Sequence, residues 1–149
     1  MPYEDALRLA RAVKKTTPEA LALLAHHSSP DVRSAVARNR MTPPEAFERL
    51  VRDRDQAVLY SLTLNPSLPE DLEIEVFKRG NRKVRLSLGD ITASPEVLAA
   101  LAKSKDPKVQ QKAAENPNTP DTILLRLTES PHQWSRHWAR KQLRERGVR

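Results

Sequence analysis

The side chains of this sequence best equipped for chemistry are its cations, and the chemistry they suit is the holding of phosphate or carboxylate. They concentrate in three places. Lys78, Arg79, Arg82, Lys83 and Arg85 form one short run, and Lys105, Lys108 and Lys112, preceded by Lys103, follow it. Arg136, Arg140 and Arg144 then stand at i, i+4 and i+8, one stripe of a helix, with His137 and Lys141 beside it. Like charges at that spacing repel by a few tenths of a kcal/mol per pair. A phosphate backbone would supply the missing anions and release counterions on binding. The same stripe also fits a solvated end: cations near a helix C-terminus suit its dipole, and a terminal unit needs a polar outer face.

Other chemistries lack their residues. The chain has no Cys, which excludes a disulfide framework, a thiolate zinc site, a cysteine nucleophile and a thiolate-held iron–sulfur cluster. Its three glycines, Gly80, Gly89 and Gly147, are too far apart for a phosphate-cradling loop. His26 and His27 are adjacent and point to different helix faces; at a helix end imidazole can cap carbonyls. His132 and His137 miss the i, i+4 spacing of a helical zinc site. No metal, no cofactor and no catalytic residue is expected, and the chain is read as a non-enzyme. No run of 18 apolar residues exists to span a membrane. The opening Met-Pro-Tyr-Glu-Asp is acidic where a signal peptide needs base, so the expected compartment is the cytoplasm.

The elements that position the cations are marked by proline. Pro18, Pro44, Pro69, Pro95 and Pro120 recur at intervals of 25 or 26 residues. Thr17, Thr42, Ser94 and Thr119 precede four of them, and Glu19, Glu45, Glu70, Glu96 and Asp121 follow. A hydroxyl N-cap, proline in the first turn and an acid behind it is a helix-start signal. The third start, Leu68-Pro69-Glu70, has only Ser67 one residue further back. An apolar pair follows each start: Leu21/Leu24, Phe47/Leu50, Leu72/Val76, Leu98/Leu101 and Ile123/Leu127. A second pair comes later: Val32/Val36, Val58/Leu62, Val84/Leu88, Val109/Ala113 and Trp134/Trp138. Small residues after these pairs (Ala37, Thr63, Gly89, Ala114, Ala139) would let neighbouring helices approach closely, and Asn39, Asn65 and Asn116 close the second helices. Helices this short are stable only when stacked. The reading is all-α: an α-solenoid of about five two-helix repeats starting near 17, 43, 68, 94 and 119. Residues 1–16, with Ala6, Leu7, Ala10 and Val13 on one side, form an N-terminal capping helix, and 17–149 complete a single domain.

Thr17-Pro18-Glu19-Ala20-Leu21-Ala22-Leu23-Leu24-Ala25, followed by Ser29-Pro30-Asp31-Val32-Arg33-Ser34-Ala35-Val36-Ala37-Arg38-Asn39, resembles the leucine-rich repeat variant family, and Ser94 to Asn118 is nearly as good a match. The resemblance covers residues 17–149. It implies a right-handed superhelix related to HEAT arrays and little about function. Some members carry a cysteine-rich iron–sulfur segment, which a chain without Cys cannot supply. The third copy departs from the pattern at Arg79-Gly80-Asn81-Arg82-Lys83 and at Asp90, and is expected to bend or interrupt the stack. Asp90 near the cations also invites comparison with HEAT-like alkylpurine DNA glycosylases, an architectural analogy and a remote alternative.

Residues 1–75 carry a net −2 and residues 76–149 a net +9, so the whole excess of +7 belongs to the C-terminal half. The expected function is a binding scaffold that associates with nucleic-acid phosphates, DNA or RNA, through copies three to five. The alternative is a protein–protein interaction module for an acidic partner. The loop of copy three is the stronger candidate, because a cationic turn has no helix dipole to explain it. Trp134 and Trp138 suit base stacking, but they stand where other copies have Val or Leu, so they read as a plug at the end of the core. Tyr60 and Phe77 read as core in the same way.

Overall fold

A computed structural model of the chain describes residues 1–12 and 15–148. Among these the protein is all-helical, without a strand: α1 (Tyr3–Arg11), α2 (Pro18–Leu24), α3 (Pro30–Arg38), α4 (Pro44–Leu50), α5 (Gln56–Thr63), α6 (Glu73–Arg79), α7 (Arg82–Ile91), α8 (Pro95–Ala102), α9 (Pro107–Glu115), α10 (Asp121–Leu127) and α11 (Gln133–Glu145). A 3₁₀ turn, Glu70–Leu72, precedes α6. Ala6, Leu7 and Ala10 form the buried side of α1; Val13, assigned to the same side, lies outside the described residues.

Prolines open α2, α3, α4, α8 and α9. Thr17 caps α2 by accepting the Ala20 N–H at 3.2 Å, and Ser94 caps α8 by accepting that of Val97 at 3.3 Å. Thr42 and Thr119 depart from the expected capping role. Each is buried, and its hydroxyl donates backwards at 2.6 Å, Thr42 to the Val36 carbonyl and Thr119 to that of Ala113. Thr16 does the same to Leu9. Away from water a hydroxyl must find an acceptor, and the end of the preceding helix offers orphan carbonyls. His27 likewise caps no carbonyl: its Nδ1 accepts the Ser29 N–H at 3.0 Å.

Amides tie α3, α5, α9 and α11 each to an earlier helix. Asn39 Nδ2 donates to the Ala10 carbonyl at 2.9 Å, and Asn65 Nδ2 to those of Ala37 and Asn39 at 2.8 and 2.9 Å. Asn116 Nδ2 reaches the Gly89 and Thr92 carbonyls at 3.0 and 2.9 Å, and Gln142 Nε2 those of Ala114 and Asn116 at 2.6 and 3.1 Å. The three asparagine oxygens also accept the N–H two residues on, at Met41, Ser67 and Asn118. Position 91, between Asn65 and Asn116 in this series, is Ile91, which is 50% exposed and has no amide to donate.

The chain divides into two compact units, Met1–Val84 and Arg85–Arg149, the division falling within α7. In the first, α3 packs between α1 and α5, with α2 and α4 alongside it; Leu21, Val32, Val36, Phe47, Leu50 and Leu62 are fully enclosed. In the second, α9 packs between α8 and α11, and α10 lies against α8, α9 and α11, around Leu98, Leu101, Val109, Ala113 and Leu124.

Close approach inside the second unit depends on Gly89. A Cβ there would fall 2.6 Å from Lys112 Cβ, an atom with no freedom to swing away. Alanine is the better helix former by about 1 kcal/mol, yet Gly89→Ala is expected to lower the thermal midpoint, because the overlap outweighs the propensity. Asn116→Ala takes a donor from the Gly89 and Thr92 carbonyls, of which Thr92 keeps the Asn118 amide at 3.3 Å, and is expected to cost roughly 1–3 kcal/mol in urea denaturation. A stability equal to wild type in either variant would contradict the packing described.

Candidate functional site

The cations singled out above divide between the two units. In Met1–Val84, Lys78 and Arg79 belong to the last turn of α6, and Arg82 and Lys83 to the first turn of α7. Only Gly80 and Asn81 separate the helices, so the expected cationic loop is two helix ends. The dipole of α6 accounts for Lys78 and Arg79, and Arg79 also pairs with Glu75 at 3.3 Å. Lys83 Nζ lies 4.3 Å from the centre of the Tyr60 ring.

In the second unit, several cations are occupied with structure. Arg85 is half-buried on α7. Lys112 is paired with Asp90, which places Asp90 in an ion pair rather than leaving it poised as an acid. Arg136 donates to the Ser130 carbonyl at 2.8 Å and Arg140 to that of Thr128 at 3.1 Å. Both guanidinium groups therefore close the end of α10. Arg33 shows the same use on α3, donating to the His27 carbonyl at 2.7 Å while also gripping Asp53 at 2.8 Å. Lys105, Lys108 and Arg144 are exposed and, among the described residues, have no ion-pair partner.

The register of α11 differs from the sequence reading by one residue. Its buried side is Ser135, Ala139 and Leu143, in the places held by Val109 and Ala113 on α9. Trp134 is 56% exposed and Trp138 is half-buried, so neither plugs the core. Arg140, not Ala139, follows the inner pair where Ala37 and Ala114 stand on α3 and α9, and no helix can approach it as Lys112 approaches Gly89. The exposed side of α11 is an aromatic ladder. The rings of Trp134 and His137 meet edge to face at 5.7 Å, those of His137 and Trp138 at 5.5 Å, and Lys141 Nζ lies 4.7 Å from the Trp138 ring. Lys108 holds on α9 the place that Trp134 holds on α11, two residues inside each helix start.

Sequence reasoning missed a second feature. In Met1–Val84 a groove of about 840 Å³ crosses α1, α3, α5 and the start of α7. Of its lining only Lys83 was among the candidates. Tyr60, read as core, is half-exposed in its wall, and the periodicity carried the signal: it falls 26 residues after half-exposed Ser34. Phe77 is buried, as read. Among the described residues no helix is long and apolar enough to cross a membrane, and no three His, Asp or Glu side chains are grouped to hold a metal ion.

Two outcomes test these assignments. Ser135 Oγ is buried without a hydrogen-bond partner, so Ser135→Ala should raise stability by about 1 kcal/mol; a loss would show that the hydroxyl is satisfied. Tyr3 donates its phenol to Asp31 at 3.0 Å, and this hydrogen bond, with the carboxylate charge, raises the phenol above its ordinary pKa. Replacing Asp31 with Asn should lower the pH at which Tyr3 ionises, read as phenolate absorbance; an unmoved titration would contradict the contact. Comparison with protein-family models, characterised proteins and solved structures returns no match, so function rests on the geometry of the chain itself.

Proposed function

We propose that this chain is a non-enzymatic scaffold that binds single-stranded nucleic acid on the outer face of α9 and α11. The observation that carries it is Trp134. An indole left in water forgoes burial worth roughly 2 kcal/mol, and it stands in an aromatic ladder whose Lys141 pairs with Glu145 at 3.9 Å, while Lys105, Lys108 and Arg144 have no ion-pair partner among the described residues. Every base has a π face, so stacking on Trp134 is tolerant of sequence, while Lys105, Lys108 and Arg144 meet phosphates. Arg136 and Arg140 contribute charge but spend donors on the α10 end, which makes them secondary. Because the two indoles of the chain share this one face, binding reports itself in their fluorescence.

The scaffold reading rests on recurrence. Buried Val32/Val36, Val58/Leu62, Val109/Ala113 and Ser135/Ala139, with the amides of Asn39, Asn65, Asn116 and Gln142, follow one spacing of about 26 residues. This spacing supports an α-solenoid of the leucine-rich repeat variant kind, with α1 as its N-terminal cap.

Titration with oligothymidylate is expected to quench the tryptophans, with affinity falling steeply between about 50 and 200 mM salt. Trp134→Ala should cost about 1–3 kcal/mol of binding, and Lys108→Glu with Arg144→Glu should flatten the salt dependence. No binding at the lower salt would end the proposal.

A further inference from the structure

The groove of the first unit is a different kind of site from the α11 face, and we infer that it binds an acidic peptide segment in extended conformation. Its floor is made of short side chains, Ala10, Ala35, Ala57, Ser34 and Ser61, which leave room for a backbone to lie close to the helices. Its walls carry three cations, Arg11, Arg38 and Lys83, against a single carboxylate, Asp31. Three cations against one carboxylate leave the charge facing an occupant positive, and that carboxylate also accepts the Tyr3 hydroxyl. Arg38 is exposed and has no ion-pair partner among the described residues.

The hydrogen-bonding groups left over suit a peptide main chain. Gln56 is spent, its amide donating to the Arg79 carbonyl at 3.1 Å and accepting the Asn81 N–H at 2.7 Å. Asn39 is spent on Ala10 and Met41. Asn81 lines the groove and accepts the Val84 N–H through its oxygen at 3.1 Å, and its amide nitrogen has no hydrogen-bond partner among the described residues. Ser34 adds a hydroxyl. A chain laid across these groups can form backbone hydrogen bonds while alternate side chains reach the cations. The helices α1, α3 and α5, packed about 8–10 Å apart, with the start of α7 beyond them, span roughly 30 Å, the reach of about nine extended residues.

Nucleic acid fits the groove less well. Lys83 covers the Tyr60 ring at 4.3 Å, Tyr3 is tied to Asp31, and Asp31 would stand beside a phosphate. Carboxylates spaced along a peptide can avoid that acid; a phosphate at every step cannot.

The test is fluorescence anisotropy with a labelled nine-residue peptide of alternating Glu and Ala, at about 50 mM salt, where exposed charges are little screened. The chain should bind it. Arg38→Glu with Lys83→Glu should weaken binding about tenfold, as reversal of wall charges does. Arg49→Glu with Arg126→Glu, exposed cations away from the groove, makes the same change in net charge and should leave binding as it is. Circular dichroism confirms that both pairs fold. Failure to bind, equal losses in the two double variants, or equal binding of a Lys-Ala peptide would overturn the inference. So would loss of oligothymidylate binding in the Arg38/Lys83 variant, which would assign the groove to nucleic acid.

Discussion

Short helices have little stability of their own, and in this protein carboxamides tell α3, α5, α9 and α11 where to sit. Asn39, Asn65 and Asn116 are almost wholly enclosed, and each amide nitrogen reaches carbonyls at the end of an earlier helix. Those carbonyls are the ones a helix leaves without a partner. Leaving one buried and unmet costs about 1–3 kcal/mol, comparable to burying a whole aliphatic side chain. Apolar packing is non-directional and tolerates a slide between neighbours; an amide with two acceptors and its own turn to close does not. The threonines add to the same constraint, since Thr16, Thr42 and Thr119 each return a hydroxyl to the helix just finished.

What these hydrogen bonds set is register, and register decides the surface. Gln142, with a side chain one methylene longer, takes the asparagine role on α11. With that amide held on α9, Ser135, Ala139 and Leu143 must face inward, and Trp134 is turned to solvent. The same logic puts Tyr60 and Lys83 in a groove wall in the first unit. The inward place taken by Ser135 is imperfectly filled, an orphan hydroxyl among residues that are elsewhere valine. A bulky aromatic therefore lies outside while a small polar residue lies inside, the reverse of what hydrophobicity alone arranges.

Charge divides along the same line between structure and surface. Arg33, Arg136 and Arg140 send guanidinium donors to carbonyls at the ends of preceding helices, and Lys112 meets Asp90. These cations look alike in composition to Lys105, Lys108 and Arg144, yet the latter are spent on neither a carbonyl nor a carboxylate among the described residues. The first unit also holds a groove with positive walls, because Arg11, Arg38 and Lys83 outnumber its one carboxylate, Asp31.

The openings of α2, α3, α4, α8 and α9, the spacing of about 26 residues and most apolar positions before α10 were legible in the sequence, because proline, capping hydroxyls and i, i+4 hydrophobic pairs act within a turn or two of chain. Leu72, expected in the core, is half-buried in a 3₁₀ turn, and α6 starts only at Glu73. Asn39 and Asn116 were legible as helix ends for the same reason. Their longer reach was not, since an amide that closes a turn locally looks the same whether or not its nitrogen finds a carbonyl some 25 residues earlier. The misreading of Trp134 and Trp138 has this origin: both are spaced as core residues are, and only the amide of Gln142, meeting Ala114 and Asn116, selects the neighbouring set. The choice between a threonine that caps forward and one that ties backward also needed burial. Sequence by itself determined where most helices begin and end and which residues are spaced as an apolar face would be, since these are local matters of backbone and side-chain chemistry. Tertiary structure alone decided which cations are spent, which rings meet water and where a groove opens, since each depends on the partner that packing brings to a group.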